Sequence, residues 1–263
     1  MSVEFDTLER TAGEAGEVAP DDRSVIGRAF RVLAALGEDA TTVSLARLAE
    51  RTGLPKGSLH RLCAQLIDQG VVERVGVGYR LGFRMYDLGM RASSPRDLRN
   101  IALPLVSELH AVTKCAAHLS VLKDDDLFIV NAVTGRSGLR YALVPGGRRR
   151  ALETASGRAL VAMAAPEVRE RILRNVYCPP GLRAEMDRVA AEGVSRLRVD
   201  NKLQALAVPV MGWEGYSVAA LSLCCADFPA RHDDFINALR GAARVLEAKL
   251  KEVPGSVWYT SNK

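Results

Sequence analysis

The segment from Ser44 to Leu81 has the clearest hydrophobic and polar pattern in the chain, SLARLAERTGLPKGSLHRLCAQLIDQGVVERVGVGYRL. Apolar residues first recur at the helical spacing of three and four positions, at Leu45, Leu48 and Ala49. A second stripe with the same period follows the Thr52-Gly53 break, and it consists of Leu59, Leu62, Leu66 and Ile67. The pattern predicts a helix that Ser44 caps, a tight turn, and a second helix that Gly70 ends.

Two short apolar runs follow the second helix, and Gly76-Val77-Gly78 separates them. Val71–Arg74 and Tyr79–Leu81 on either side therefore predict a hairpin. A helix-turn-helix with such a wing places its second helix in the major groove of DNA. An ordinary helical pair with a solvated basic face is the alternative, but the turn, the basic face and the hairpin together favour DNA binding.

The rest of the chain predicts a support helix at Ser24–Leu36, with Val25 on its inner side, and a linker helix at Phe83–Met90. After a break at Ala92–Pro95, helices alternate with antiparallel strands, which is typical of an α+β domain. The helix at Arg96–Lys114 contains Pro104 and is expected to kink there. The predicted strands are Ala117–Leu122, Leu127–Val133, Arg140–Val144, Leu203–Met211 and Ser217–Cys225, and the predicted later helices are Ser156–Ala164, Pro166–Asn175, Gly181–Glu192 and Arg231–Glu252.

These boundaries predict five segments in the 263 residues. They are an acidic tail at 1–22, a winged helix-turn-helix domain at 23–82, the linker helix at 83–95, an effector-binding domain at 96–252 and a flexible tail at 253–263. Charge follows this division. Residues 1–22 carry a net charge of −6, whereas residues 23–84 hold ten Lys and Arg against five acidic residues, a net of +5. The excess positive charge lies where phosphate neutralisation needs it.

The chain has no apolar run near the ~20 residues that a membrane span needs, and its N-terminus lacks a secretory pattern. We therefore expect a cytoplasmic protein with no membrane partner. The five cysteines are irregularly spaced, so reduced thiols fit better than a disulfide framework.

Three separate segments of the chain resemble the IclR family of bacterial transcriptional regulators. They are LARLAERTGLPKGSLHRL with the wing GYRLG, GGRRRALETASGRALVA at Gly146–Ala162, and LQALAVPV with VAALSL within Leu203–Leu223. The resemblance covers about Val25 to Leu250. It implies a GAF-like effector domain behind the winged helix, dimers or tetramers on a pseudo-palindromic operator, and a small organic or aromatic acid as effector. It leaves repression and activation both open and implies no cofactor.

Polar residues on the outer face of the second helix and on the wing are the candidate DNA contacts. Arg61 can read guanine with two hydrogen bonds or grip phosphate. Lys56, Gly57 and Ser58 lie at the helix start, where an anion is favoured. The full set is Lys56, Gly57, Ser58, His60, Arg61, Gln65, Arg74 and Arg80.

The effector site is predicted at Thr154-Ala155-Ser156, because free N–H groups at a helix start suit a carboxylate. The family resemblance adds neighbouring strands to this loop. The further candidates are His118, Tyr141, Leu143, Asp200, Ala205, Ser222 and Cys224. Leu143, Ala205 and Cys224 as core residues, and His118 as a satisfied buried imidazole, are the alternative interpretation.

The resemblance also shows one informative departure. Leu152 stands where the family often has His, and with Ala205 and Tyr141 it predicts a more apolar pocket. We therefore expect an aromatic or longer-chain acid in preference to a very small oxoacid.

Three other functions are weighed against a regulator. An enzyme would need a nucleophile, and Cys115 or Cys224 with His118 lacks any known signature. A metal or thiol-redox sensor has Cys and His available but no zinc-type spacing. A structural DNA-binding protein without an effector would not need so large a second domain.

Overall fold

The structure, a computed structural model, describes residues 24–38, 41–91, 93–135, 143–175, 181–199, 203–226 and 232–252. It divides into two compact units, one up to Ala92 and the other from Ser93. The predicted tails at 1–22 and 253–263 lie outside the described residues.

The first unit contains four helices and three short strands among its described residues. In chain order they are α1 (Val25–Gly37), β1 (Val43–Ser44), α2 (Leu45–Thr52), α3 (Lys56–Asp68), β2 (Val72–Val75), β3 (Gly78–Leu81) and α4 (Phe83–Arg91). Ser24 Oγ caps α1 by accepting from Gly27 N at 2.9 Å, and Ser44 Oγ caps α2 by accepting from Arg47 N at 3.3 Å. The predicted helix-turn-helix is therefore present with its predicted cap at Ser44.

One apolar cluster holds the first unit together. Its buried members are Val32, Ala35, Leu36, Val43, Leu48, Leu59, Cys63, Leu66, Val72 and Tyr79. Val25 is 58% exposed, so its predicted place on the inner side of α1 is wrong. The cause is that Val25 is the first residue of α1, one turn before the helix meets the core.

The wing has three strands in the order β1-β3-β2. The predicted hairpin is present and pairs Glu73 with Arg80 and Arg74 with Tyr79. The third strand, β1, was not predicted, because two residues are too few to show a period. It pairs Val43 with Tyr79.

The second unit opens with α5 (Ser93–Thr113), which runs through both Pro95 and Pro104. The predicted break at Ala92–Pro95 is therefore wrong for Ser93–Pro95, which are helical, and Ala92 lies outside the described residues. Pro95 falls in the first turn of α5, where a missing N–H costs nothing.

The remaining elements of the second unit surround one sheet. They are β4 (Ala116–Lys123), β5 (Asp126–Val133), β6 (Arg148–Arg150), α6 (Ala155–Ala162), α7 (Pro166–Asn175), α8 (Leu182–Glu192), β7 (Ser195–Arg198), β8 (Leu203–Met211), β9 (Ser217–Ala226) and α9 (His232–Lys251). The strand order is β6-β5-β4-β9-β8-β7 with antiparallel pairing throughout. The α+β architecture and the hairpin at β8–β9 are as predicted.

Each face of this sheet packs on different helices. Leu119, Leu206 and Leu221 share a cluster with residues of α5 and α9. Leu127, Ile129 and Ala220 share a cluster with residues of α6, α7 and α8. The result is a helix–sheet–helix arrangement, and the face towards α6 is the one that matters for the candidate site.

Two predictions about the second unit differ from the structure. The predicted strand at Arg140–Val144 lies mostly outside the described residues, and its last two residues, Leu143 and Val144, are not in a strand. The structure also pairs Cys115 with Cys225 in a disulfide, with a Cα–Cα distance of 5.1 Å. The expectation of reduced thiols rested on spacing along the chain, whereas antiparallel pairing of β4 with β9 brings these two positions together.

Candidate DNA-reading surface and effector site

Helix α3 has one buried side and one exposed side. Leu59, Cys63 and Leu66 face the core, at positions that recur every three or four residues. Burial raises the pKa of the Cys63 thiol, so this cysteine serves as a small core residue. The opposite side of α3 carries the polar residues and is open to solvent.

The predicted DNA contacts all lie on this accessible surface or on the wing. Ser58 is half-buried, and the others are exposed, namely Lys56, Gly57, His60, Arg61, Gln65, Arg74 and Arg80. Pro55 precedes α3 without a side-chain cap, so the first N–H groups of the helix are left for another acceptor. A Cβ built on Gly57 meets nothing within 4 Å, so the helix start is unobstructed.

On the wing, Arg80 also has a structural partner. Its Nε and Nη2 atoms donate to Glu73 Oε2 at 3.0 and 2.8 Å, across the β2–β3 pair. The other carboxylate oxygen of Glu73 accepts from Phe83 N at the start of α4, at 3.2 Å. The hydrogen bond from Arg80 is the main reason why the pKa of Glu73 is lowered. Glu73 thus joins both wing strands to α4.

In the second unit, four predicted residues lie side by side on the sheet. His118 pairs with Ser222 between β4 and β9, and Cys224 pairs with Ala205 between β9 and β8. Because side chains alternate along a strand, His118, Ser222, Cys224 and Ala205 share one face. The pairing of Ala205 with Cys224 agrees with the family-based prediction.

Helix α6 begins directly over this face. Thr154 caps it, with Oγ1 accepting from Gly157 N at 3.0 Å. Ala155 and Ala159 of α6 pack in one cluster with Ala205 and Ala207 of β8. Small residues on both sides let the helix start approach the sheet closely, as the prediction for this loop requires.

The cation nearest to this helix start already has partners. Arg158 donates from Nε to Leu152 O at 2.8 Å and from Nη1 to Glu185 Oε1 at 2.6 Å. Ser156 is only 3% exposed, so the N–H groups of the first turn are buried. An anion at this point would be met by backbone N–H groups and the helix dipole.

His118 is the most unusual side chain of the face. It is 1% exposed, and its Nε2 atom has no hydrogen-bond partner. Burial lowers its pKa to about 4, so the imidazole is neutral near pH 7. Sequence reasoning offered a satisfied buried imidazole as the alternative, and the structure does not show one.

Sequence reasoning missed two serines on the same face. Ser120 follows His118 by two residues on β4. Ser195 lies on β7 and pairs with Ala207 of β8. Both hydroxyls are fully buried and lack a hydrogen-bond partner. The alternation of His118 and Ser120 along β4 would have indicated Ser120. Ser195 could not be found in this way, because β7 is too short to predict.

Other predicted residues are not brought together with this row. Leu143 packs against the cluster that contains Leu152 and Leu160. Leu152 is itself buried in that cluster, so it acts as a core residue. Tyr141 and Asp200 lie outside the described residues.

The structure bears on two of the competing chemistries. Cys115 is bonded to Cys225 and has no thiol to offer as a nucleophile, whereas Cys224, the other cysteine weighed for that role, is not in a disulfide. Within the described ranges, no three His, Cys, Asp or Glu side chains converge as a metal site would require. In the same part of the chain, no helix combines the length and the hydrophobicity that a membrane span needs.

Comparison with known proteins identifies both units. The model of the IclR helix-turn-helix domain matches residues 25–76. The model of the bacterial transcriptional regulator IclR C-terminal domain matches residues 90–248. The second match alone covers more than half of the chain.

Individual relatives agree with these matches. The transcriptional regulator KdgR of Escherichia coli is 26% identical over 88% of this chain and 94% of its own length. The Pca regulon regulatory protein of Pseudomonas putida is 27% identical over 78% of this chain and 75% of its own. An IclR homologue from Microbacterium hydrocarbonoxydans, solved with 4-hydroxybenzoate, is 27% identical, with a TM-score of 0.77 over 88% of this chain and 100% of that one. This chain is accordingly a DNA-binding regulator rather than an enzyme, and it belongs to the IclR family of bacterial transcriptional regulators.

Proposed function

We propose that this regulator reads its operator with the exposed side of α3 and with the wing. The observation that carries the proposal is the two-sided character of α3, which buries Leu59, Cys63 and Leu66 and exposes its polar residues. Arg61 is assigned to a guanine or a phosphate, and His60 and Gln65 to base edges. Lys56, Gly57 and Ser58 form a phosphate site at the helix start.

Arg74 and Arg80 are assigned to backbone or minor-groove contacts from the wing. Arg80 can keep its bond to Glu73 while it does so, because a guanidinium has five donors. Two such wings and helices in a dimer would read half-sites about one DNA turn apart, ~34–36 Å. We propose a dimer, or a tetramer of two dimers, acting on DNA in the cytoplasm.

We further propose that a small organic acid bound in the second unit controls DNA binding. Its carboxylate would meet the N–H groups at the start of α6, above Ala205 and Ala207. The 4-hydroxybenzoate in the Microbacterium homologue supports an acid of this class. The proposed domain boundaries are 23–82 for the winged helix-turn-helix domain, 83–95 for the linker helix and 96–252 for the effector-binding domain.

An effector can control DNA binding only if it binds two arrangements of the DNA-reading domains with different affinity. The linker helix α4 is the proposed route between the effector site and those domains. The same difference in affinity would let operator DNA change the affinity for the acid by an equal factor.

The test is DNA binding by the full chain to the region upstream of its own gene, as salt is varied. We expect sub-micromolar, sequence-specific binding with a steep negative salt slope. Arg61→Ala should weaken operator binding by about 1–3 kcal/mol, or about 5- to 150-fold. Arg188→Ala, an exposed arginine on α8, is the matched control.

Equal and weak binding of wild type to any DNA, with or without candidate acids, would contradict the proposal for α3. Operator binding unchanged by Arg61→Ala would contradict the role of Arg61 alone. A change in operator affinity when an aromatic acid is added would support control by an effector.

A further inference from the structure

The positively charged side chains of the first unit fall into two groups. One group donates to a nearby carbonyl or carboxylate oxygen, and it consists of Arg28, Arg31, Arg51, Arg80, Arg84 and Arg91. The other group is exposed and, among the described residues, has no hydrogen bond or ion pair through its side chains. It consists of Lys56, Arg61 and Arg74. The charges without a partner therefore lie on α3 and the wing.

The acidic tail at 1–22 supplies the opposite charge within the same chain. Its net charge is −6, because Arg10 is set against Glu4, Asp6, Glu9, Glu14, Glu17, Asp21 and Asp22. Residues 23–84 carry +5, so −6 and +5 leave −1 for residues 1–84 together. An excess of positive charge is what attracts a protein to DNA phosphates over a distance. The tail therefore carries enough negative charge to cancel that attraction beside the winged helix-turn-helix domain.

The acidic tail is long enough to reach these side chains from its point of attachment. It ends at Asp22, two residues before Ser24, which caps α1. An extended chain of this length spans up to ~70 Å, whereas a compact unit of about 70 residues has a radius of gyration of only about 11 Å. Tethering also gives the tail a local concentration on the order of 1 mM. A weak electrostatic attraction is therefore sufficient to bring the tail to the surface.

We propose that the acidic tail binds Lys56, Arg61 and Arg74 when DNA is absent and competes with DNA phosphates for these side chains. The inference rests on the proposed function, because it takes α3 and the wing as the DNA-reading surface. A tail with a dissociation constant of about 0.1 mM, at an effective concentration of about 1 mM, would weaken DNA binding about tenfold. Because the tail and DNA exclude each other, operator and non-operator DNA would be weakened by the same factor.

The first experiment is zero-length cross-linking of the full chain with a carbodiimide, which joins a carboxylate to an amine that it contacts. Lys56 is the only lysine before Lys114, so a tail bound at α3 gives one characteristic product. Trypsin would release this product as the peptide Thr52–Arg61 joined to a peptide of the tail. Lys114 and Lys123 are exposed lysines of the second unit and serve as internal controls. We expect the Lys56 product to be the most abundant and to be lost when DNA is added in excess.

The second experiment compares DNA binding by the wild type with that of a variant whose tail has no acidic residues. This neutral-tail variant combines Glu4→Gln, Asp6→Asn, Glu9→Gln, Glu14→Gln, Glu17→Gln, Asp21→Asn and Asp22→Asn. At low salt it should bind operator and non-operator DNA about tenfold more tightly than the wild type. The gain should shrink as salt rises, because salt screens the contacts of the tail. A shuffled tail of unchanged composition is the matched control and should bind DNA as the wild type does.

A peptide added in trans separates binding by the tail from simple repulsion between the tail and DNA. A synthetic peptide of residues 1–22, added at about 1 mM to the neutral-tail variant, should weaken its DNA binding about tenfold. The same peptide with the seven neutral substitutions, at equal ionic strength, should have no effect. Circular dichroism of each variant checks that the fold is retained. Tighter DNA binding by the neutral-tail variant without any effect of the peptide would mean repulsion alone and would overturn the inference.

The outcomes separate this inference from the proposed function. A Lys56 product that is no more abundant than those of Lys114 and Lys123, or that persists in excess DNA, overturns the inference. Equal DNA affinity of the wild type and the neutral-tail variant overturns it as well. In each of these cases a loss of operator binding in Arg61→Ala would leave the proposed DNA-reading surface standing. If Arg61→Ala leaves operator binding unchanged with either tail, the failure lies in the proposed role of Arg61 and not in the binding of the tail.

Discussion

The proposed DNA-reading surface and the proposed effector site are built in opposite ways. Every predicted DNA contact comes from one stretch of chain, Lys56 to Arg80, and lies on a surface that solvent already reaches. The proposed effector site draws on β4, α6, β8 and β9, and its side chains are buried or half-buried. The first site depends on which side chains a helix displays, and the second on how closely a helix and a sheet approach each other.

This difference should appear in how each site tolerates change. An exposed helical residue can be replaced with little effect on folding, since surface substitutions usually stay within about 0.5 kcal/mol. Gly157, at the start of α6, lies against the backbone of Ala151 with no room for a side chain, as the close packing of protein interiors implies. Two glycines, one in the first turn of α3 and one in the first turn of α6, test this contrast directly.

Gly157→Ala should have the largest effect. A Cβ at this position would overlap the backbone carbonyl of Ala151, which cannot move without opening the turn before α6. We expect the second unit to lose about 3 kcal/mol or more of unfolding free energy, at the upper end for overpacking. Chemical denaturation followed by fluorescence or circular dichroism measures this loss, and effector binding should disappear with it.

Gly57→Ala is the matched change on the DNA-reading surface. Nothing lies within 4 Å of the added Cβ, and alanine favours a helix over glycine by up to about 1 kcal/mol. The first unit should therefore become slightly more stable. If Gly57 allows phosphate to approach the backbone, operator affinity should fall at the same time. Equal destabilisation by both substitutions would contradict the contrast between the two sites.

The next largest effect is a loss of folding stability at low pH. The pKa of His118 falls from 6.5 in the unfolded chain to about 4 in the folded protein. The unfolded state therefore binds the proton first, and stability is lost as pH falls from about 6.5 to 4. The difference of ~2.5 pKa units corresponds to about 3 kcal/mol. Unfolding free energies of wild type measured at several pH values should show this slope.

His118→Leu supplies the control for the acid effect, because leucine has no proton to gain. The difference in stability between wild type and this variant should be constant above pH 7 and should change steadily below 6.5. A difference independent of pH down to 4 would mean that His118 keeps an ordinary pKa and is not as buried as the structure has it.

The sequence predicted the fold of the winged helix-turn-helix well, for a physical reason. Amphipathic periods, the Ser44 cap and the Gly76–Gly78 turn are all local signals, and a helix displays its polar side wherever its apolar side packs. What the sequence could not predict was β1, which exists only through pairing with β3. Nor could it predict that Glu73 binds Arg80 and the start of α4 together.

The structure around the proposed effector site was predicted less completely, because its geometry is not local. The start of a helix at Thr154–Ser156 was predicted from residue order, and the pairing of Ala205 with Cys224 came from family resemblance. The short strand β6 consists of three arginines and carries no strand pattern. The place of Ser195 in the row with His118 depends on the order β4-β9-β8-β7, and the Cys115–Cys225 disulfide joins positions 110 residues apart. Such contacts become visible only when the sheet order is known.

The smallest expected effect comes from Glu73→Gln, on the DNA-reading side. Glu73 and Arg80 form an exposed pair, and exposed pairs contribute little to stability. The substitution removes a negative charge from the wing and leaves an amide oxygen that can still accept from Phe83 N. If Arg80 contacts DNA, its freed charge should raise affinity for non-specific DNA and steepen the salt slope by at most about 1. Glu170→Gln, which removes the partner of Arg183 in the second unit, is the matched control and should leave the slope unchanged. Weaker operator binding with an unchanged slope would show instead that Arg80 acts by fixing the wing to α4.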